Sequence, residues 1–437
     1  MDSEERLKIL RQRRRERTKS ESIVEAWRNV SQETELSTKE KLERLIQLTG
    51  SRKSPKAPSR RSEPEPRPPF RIFENRFHRT TKYGRVPISS GLSVRGKTLS
   101  LFSREPSFGR IDLSSALFLD LETTGLSGGV GVVPFLIGLG FYREDQFRVL
   151  QYFLGEPAEE DHLIRELARF LAEMNFQSVV TFNGKAFDLP LLEARFTLHR
   201  EPFPLQGLPH LDFLFPARTL WGHRRESCRL AALAREVLYA QREEDIPSAE
   251  IPLRYFEYLR SGDFSLIEPV LSHNQEDLLS LLGVVVVGAS YFVGTTEEKD
   301  WMADPLDLFG AAKVLERAGE TEKFVLYMNR ALEGCLPEGV ALQAKKKLAE
   351  HFKKKRRWDH AVELWQDMIS CRELSCFREL AMYYEHRERN YAKAAALAEQ
   401  ALALASGISR TYEADFAYRL NRLRLKMSRK KEGEGRG

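Results

Sequence analysis

Asp120 and Glu122 interrupt an apolar run in the segment LFLDLETTGLSGG, residues 117–129. On a strand, residues two apart point to the same face, so the two carboxylates project side by side while Leu121 faces the other way. Two like charges at the end of a buried strand repel, and burial raises the cost. A divalent cation removes that cost, and hard oxygen ligands of this kind suit Mg²⁺ or Mn²⁺. The alternative is an exposed strand end on which the acids pair with arginines. Two further places carry acids. In SVVTFNGKAFDLP a second apolar strand breaks at Asn183-Gly184, and Asp188 stands at or near the start of the next helix, where it can also serve as a cap. In LSHNQEDLLSLL, His273 and Asp277 are four residues apart and stack on one helical face, either as site residues or as a surface pair.

The elements that must position these groups follow from periodicity. ALFLDLE, VPFLIGLGFY, FRVLQYFL and QSVVTFN read as strands, and HLDFLF as a candidate fifth. EEDHLIRELARFLAEM is an amphipathic helix with Leu163, Leu167 and Leu171 on one face; DLPLLEARFTL, RESCRLAALAREVL and HNQEDLLSLLGVVVVGAS are further helices. Three strands in succession, followed by helix–strand alternation, predict an α/β mixed sheet flanked by helices. Beyond about residue 300 strands disappear. There Phe324, Met328 and Ala331 share a spacing with Ala361, Trp365 and Met368 and with Ala394, Ala398 and Ala401, and Ala312, Ala349 and Ala381 precede them. The offsets between units, 37 and then 33 residues, are close to the period of helix-turn-helix solenoids. These units resemble degenerate tetratricopeptide repeats; an irregular helical bundle is the alternative.

The chain has 437 residues, too many for one ordinary core, and 42% of them are hydrophobic. A formal charge of +6 permits a nucleic acid as partner. Cys228, Cys335, Cys371 and Cys376 form no CxxC pair and no zinc spacing, as expected of free thiols in a reducing cytoplasm. The charged N-terminal stretch has no apolar core of the signal-peptide kind, and the longest apolar run, residues 281–294, is too short to span a bilayer. The expected organisation is a basic, largely disordered tail with one short helix and a Pro/Arg-rich linker over 1–97. A sheet domain follows over 98–296, then a helical domain over 297–427 and a charged disordered tail over 428–437.

Asp120-x-Glu122, Asp188 after FNGKAF, and a final Asp277 together resemble the DEDD superfamily of 3′→5′ exonucleases, which have a ribonuclease-H-like fold. LDLETTGL is similar to its first motif, Thr124 and Gly125 included. The blocks HLDFLFPARTLWGHRRESCRLAALAREVL, DIPSAEIPLRYFEYLRSGD and HNQEDLLSL resemble the bacterial YprB-type ribonuclease-H-like family over roughly residues 98 to 295. The resemblance implies that Asp120, Glu122, Asp188 and Asp277 hold two divalent cations, Mg²⁺ or Mn²⁺. These would clamp a phosphate, activate water and stabilise the leaving 3′ oxygen. It implies hydrolysis of single-stranded DNA or RNA ends, with His273 orienting or deprotonating the water. His273 lies four residues before Asp277, the spacing of the tyrosine subclass; the histidine subclass has five. A part in water positioning, a phosphate contact and a helix-start histidine with no catalytic part all stay open for it.

Thr124, Gly125, Asn183 and Lys185 are candidate substrate contacts, and Arg218, Arg224 and Arg225 a candidate backbone track. Asp212 is not counted as a ligand. The competing function is an adaptor that binds nucleic acid without cutting it and a protein partner through the helical repeats. Either way the expected location is cytoplasmic, with no membrane contact.

Overall fold

Residues 70–125, 131–242, 246–292 and 304–434 are described in the computed structural model. The basic arm, the short helix expected near residues 37–46, the Pro/Arg-rich linker and residues 435–437 lie outside them. The chain divides into two units, 1–299 and 300–437.

The first unit is built on six strands. These are β1 (Phe70–His78), β4 (Ala116–Thr123), β5 (Pro134–Arg143), β6 (Gln146–Leu154), β7 (Ser178–Thr181) and β8 (His210–Asp212), in the sheet order β1-β6-β5-β4-β7-β8. β2 (Lys82–Tyr83) and β3 (Val86–Pro87) form a separate small ladder. β1, β6, β5 and β4 pair antiparallel in succession, while β4–β7 and β7–β8 are parallel. β4, β5 and β6 follow one another through short connections; the parallel half needs crossovers, supplied by α2 (Glu160–Met174) and α3 (Asp188–Leu198). α1 (Gly96–Ser103), α4 (Leu214–Trp221), α5 (Leu230–Val237), α6 (Ile251–Ser261) and α7 (Glu268–Ser290) complete the unit. This is the ribonuclease-H-like α/β arrangement, a mixed sheet flanked by helices.

β4 is central, so its residues Ala116–Leu119 are fully buried. β5 is buried along nearly its whole length. One core cluster joins Leu117, Leu119 and Leu121 of β4 to Leu163, Leu167 and Leu171 of α2 and to Tyr255 and Tyr258 of α6. Each such side chain contributes roughly 1.5–3 kcal/mol by leaving water. α7 has two parts. Its second half, Gly283 to Ala289, is buried on every side, the mark of a core helix rather than an amphipathic one. Its first half turns polar residues toward the sheet. No helix among the described residues is long and apolar enough to cross a membrane.

Three expectations need correction. Residues 70–97, read as part of a disordered tail, include β1, which pairs with β6 from Phe70↔Leu154 to His78↔Gln146. FRIFENRFH lacks clean alternation because β1 is an edge strand, half exposed along its length. Residues 428–434, read as tail, continue the last helix. The expected fifth strand is shorter than HLDFLF: it ends at Asp212, and α4 begins at Leu214.

The second unit is all helical: α8 (Pro305–Ala318), α9 (Thr321–Glu333), α10 (Glu338–Lys354), α11 (Trp358–Ile369), α12 (Leu374–His386), α13 (Tyr391–Ala405) and α14 (Arg410–Glu434). The three spaced sets from the sequence lie on α9, α11 and α13 and are buried. Ala312, Ala349 and Ala381 lie buried on α8, α10 and α12.

Candidate metal centre

β4 carries Asp120 and Glu122 at its carboxyl-terminal end, just before a register shift at Glu122/Thr123 that bends the strand. α7 crosses this end of the sheet and brings His273 and Asp277 to it. Glu122, His273 and Asp277 offer donor atoms that all lie within 4.8 Å of one another. His273 Nε2 is 3.9 Å from Glu122 Oε1 and 3.5 Å from Asp277 Oδ2. The Glu122 and Asp277 side chains are 13% and 18% exposed, so the cluster is partly shielded yet reachable. Asp188 opens α3. That helix is anchored to α2 by the buried ion pair of Arg195 with Glu160, whose Nε–Oε1 distance is 2.6 Å.

The electrostatics tie the four acids together. Burial, then the charges of Asp277 and Asp188, hold the Asp120 carboxyl well above its usual range. Burial, then Asp120, Asp277 and Asp188, do the same to Glu122. Burial and Asp212 push Asp188 up to about 7. Protons or a multivalent cation must answer so many negative charges in so little water. The donor set, four carboxylates and one imidazole, fits a hard divalent cation.

Several supporting residues were not found from sequence. Asn274 Nδ2 donates to Asp120 Oδ2 at 2.8 Å, and Gln151 Nε2 of β6 donates to Asn274 Oδ1 at 2.9 Å and to the Leu271 carbonyl at 2.8 Å. Asn274 reaches the sheet because Gly138 stands opposite Asp120 on β5; a Cβ there would lie 2.2 Å from Asn274 Oδ1. Arg242 pairs with Asp277 Oδ1, which leaves Oδ2 facing His273. Arg242 also approaches Ser280 Oγ at 3.5 Å, and Tyr83 donates to Glu276 Oε2 at 2.6 Å, so the outer face of α7 is held as well. Adjacency of Asn274 to His273 was the one available signal; Arg242, Gln151 and Gly138 are remote in sequence and left none.

The remaining candidates separate. Thr124 closes a two-way contact with Val133: its N–H donates to the Val133 carbonyl, and its hydroxyl accepts from the Val133 N–H, both at 3.0 Å. Gly125 lines a groove of about 640 Å³ with Leu121, Thr123, Phe187, Asp188 and Leu191. Phe187 is half exposed there. Asn183 sits in the left-handed region at φ 73°, where asparagine is tolerated. Asp212 organises this loop: it accepts from the backbone N–H groups of Asn183 at 2.7 Å, Lys185 at 3.1 Å and Leu214 at 3.1 Å. The Lys185 ammonium turns to Glu105 at 3.3 Å. Of the arginine track, Arg225 is committed to Glu236 at 3.0 Å, while Arg218 and Arg224 are exposed.

A central strand bearing two acids, a helix start bearing a third and a crossing helix bearing the fourth define a protein of the ribonuclease H superfamily, and residues 117–287 match that superfamily. With it come a nuclease-type function and divalent metals as common cofactors. The chain is 32% identical over 320 residues to "Uncharacterized protein YprB" of Bacillus subtilis (strain 168), covering 72% of this chain and 76% of that one. The protein belongs to the YprB-type ribonuclease-H-like family. Among solved structures, the family B DNA polymerase of Pyrobaculum calidifontis matches at 15% identity and a TM-score of 0.34, over 50% of this chain and 28% of that chain.

Proposed function

We propose that the protein is a metal-dependent 3′→5′ exonuclease that hydrolyses phosphodiester bonds at single-stranded DNA or RNA ends. The observation that carries this reading is the convergence of Glu122, His273 and Asp277 within 4.8 Å, beside Asp120 and Asp188. Asp120, Glu122, Asp188 and Asp277 would hold the divalent cations, Mg²⁺ or Mn²⁺. When bound, these supply an activated water and charge for the leaving oxygen.

The chain's own residues do the rest. Asn274 fixes one oxygen of Asp120, and Arg242 fixes one oxygen of Asp277, so each carboxylate presents its other oxygen inward. His273 lies between Glu122 and Asp277; there it would orient the attacking water and take its proton. The groove beside Asp188, with Phe187, Leu191 and Leu198 on its wall, offers the terminal nucleoside an apolar surface. Thr123 and Gly125 border it, Thr124 beside them is tied to Val133, and Asn183 is held at the loop that precedes Asp188.

End-labelled DNA and RNA oligonucleotides, incubated with Mg²⁺ or Mn²⁺, test the reading. Loss of terminal nucleotides by the wild type and not by Asp120→Ala is expected; cleavage of neither polymer, with Asp120→Ala indistinguishable, would sink it. A circular single strand separates exonuclease from endonuclease, since it has no end. His273→Ala is expected to slow cleavage roughly 10²- to 10⁴-fold if it acts as base. A variant with full activity removes it from the mechanism.

A further inference from the structure

The helical unit carries its charge unevenly. Short connections join its helices, so successive connections alternate between two ends of the array. At one end lie the segments GCLP (334–337), SCRE (370–373) and SGIS (406–409), whose charged residues are Arg372 and Glu373. At the other end α10 runs into α11 through Lys353-Lys354-Lys355-Arg356-Arg357, and α12 runs into α13 through Arg387-Glu388-Arg389. The first hairpin of the unit turns at Gly319-Glu320 instead, so the basic character belongs to two adjacent turns.

Those two turns touch. The Arg387 guanidinium lies 4.8 Å over the Trp358 ring, and Trp358 and Tyr383 have centroids 5.9 Å apart. Some of the charge is answered: Lys353 pairs with Glu379 at 2.6 Å and Lys354 with Glu350 at 2.7 Å. Asp359 stands at the start of α11, and Glu388 accepts from the Tyr383 hydroxyl at 2.7 Å. Lys355, Arg356, Arg387 and Arg389 are exposed and pair with no carboxylate among the described residues. Arg357 lies over Phe352 and contacts His360 Nε2 at 3.1 Å. Arg356 and Arg389 both occupy the left-handed region, at φ 58° and 51°, which the first hairpin fills with Gly319. Burial, then the charges of Lys355 and Arg357, holds the His351 imidazole below its usual range.

We propose that this edge binds the phosphate backbone of a single nucleic acid strand, independently of sequence. Arginine forks match phosphate oxygens two at a time, and rings among cations suit a strand whose bases are unpaired. The choice of polyanion rests on the nuclease reading of the first unit. An acidic peptide is the competing occupant.

The test uses the full chain in EDTA, so that nothing is cut, with fluorescein-labelled dT30 and rU30 read by anisotropy across a KCl series. Four phosphate contacts give a slope of log K against log salt near −0.7 per contact. The variant Lys355→Ala/Arg356→Ala/Arg387→Ala/Arg389→Ala should bind on the order of tenfold or more weakly at low salt, with a slope shallower by about 3. The charge-keeping variant Lys355→Arg/Arg356→Lys/Arg387→Lys/Arg389→Lys should recover most of the binding, with an unchanged melting temperature. An alanine variant with wild-type affinity and slope overturns the proposal, as does wild-type protein that binds neither oligonucleotide. Poly-glutamate competing as well as dT30 overturns the nucleic-acid assignment. Hydrolysis of the p-nitrophenyl ester of thymidine 5′-monophosphate with Mn²⁺ should be equal in wild type and alanine variant, since that ester has no strand to lay on the edge. Its absence from the wild type would count against the nuclease reading, whereas the salt slopes alone decide the edge.

Discussion

Both units bury acids, and Glu385 of the helical unit is treated in the opposite way to the clustered acids of the sheet unit. In the helical unit Glu385 is fully buried and meets Arg419 at 3.0 Å, Arg422 at 2.6 Å and Lys426 at 2.7 Å, all from α14. Burial works to raise its pKa, but hydrogen bonds from Lys426 and Arg422 outweigh it, and the carboxyl sits below its usual range. In the sheet unit Asp120, Glu122 and Asp188 are pushed the other way, with Arg242 the cation that opposes the first two. A buried acid that the chain neutralises with its own cations fastens one helix to another. Buried acids left in excess are unfinished until something positive arrives.

Substitution tests that contrast most strongly at the unfinished end. Asp120→Asn should cut metal-dependent cleavage by about 10³-fold or more, and the same change should raise the melting temperature of the metal-free protein by removing a repelling charge. A drop in melting temperature would mean that Asp120 is a structural acid. At the finished end, Glu385→Ala strands a buried arginine and should cost about 3–5 kcal/mol, read from urea unfolding; a cost under about 1 kcal/mol would place the cluster with ordinary surface pairs.

pH should divide the two regions as well. Asp188 titrates near 7 in the folded chain against 3.8 for an ordinary aspartate, so the folded state holds its proton where the unfolded state does not. Its contribution to metal-free stability is present below about pH 4 and is lost as pH rises toward 7. Glu385, shifted downward, contributes in the reverse sense: fully above its unfolded pKa, and less as pH falls. Melting curves between pH 4 and 7.5 with and without Mn²⁺ should show the metal stabilising most at the upper end; a pH-independent increment would contradict the titration. The smallest effect is expected at Arg242→Gln. Losing the group that fixes Asp277 Oδ1 should weaken Mn²⁺ binding, on the order of tenfold, by calorimetry; tighter binding would make Arg242 a competitor for the site and not a support.

The strands and helices that bear the acids were legible because their signals are local. LFLDLE is an apolar run broken by period-two acids, and HNQED puts a histidine and an aspartate on one helical face. What escaped depends on partners distant along the chain. β1 looks like linker until β6 is beside it, and Gly138 means nothing until Asn274 needs the space. Asp212 read as an acid of uncertain use; its three backbone N–H partners show a loop organiser. Arg225 read as a phosphate contact, yet Glu236 takes it.

α7 has a consequence in time. Among the described residues it is the last helix of its unit in chain order, and it carries His273, Asn274 and Asp277 together. A chain emerging from the ribosome exposes Asp120, Glu122 and Asp188 long before those three residues exist. No copy that stops short of residue 277 therefore carries all four acids. The packing that buries Val284, Val285 and Ala289 also holds the helix that brings Asp277 to β4, so one element completes both the hydrophobic core and the acidic cluster.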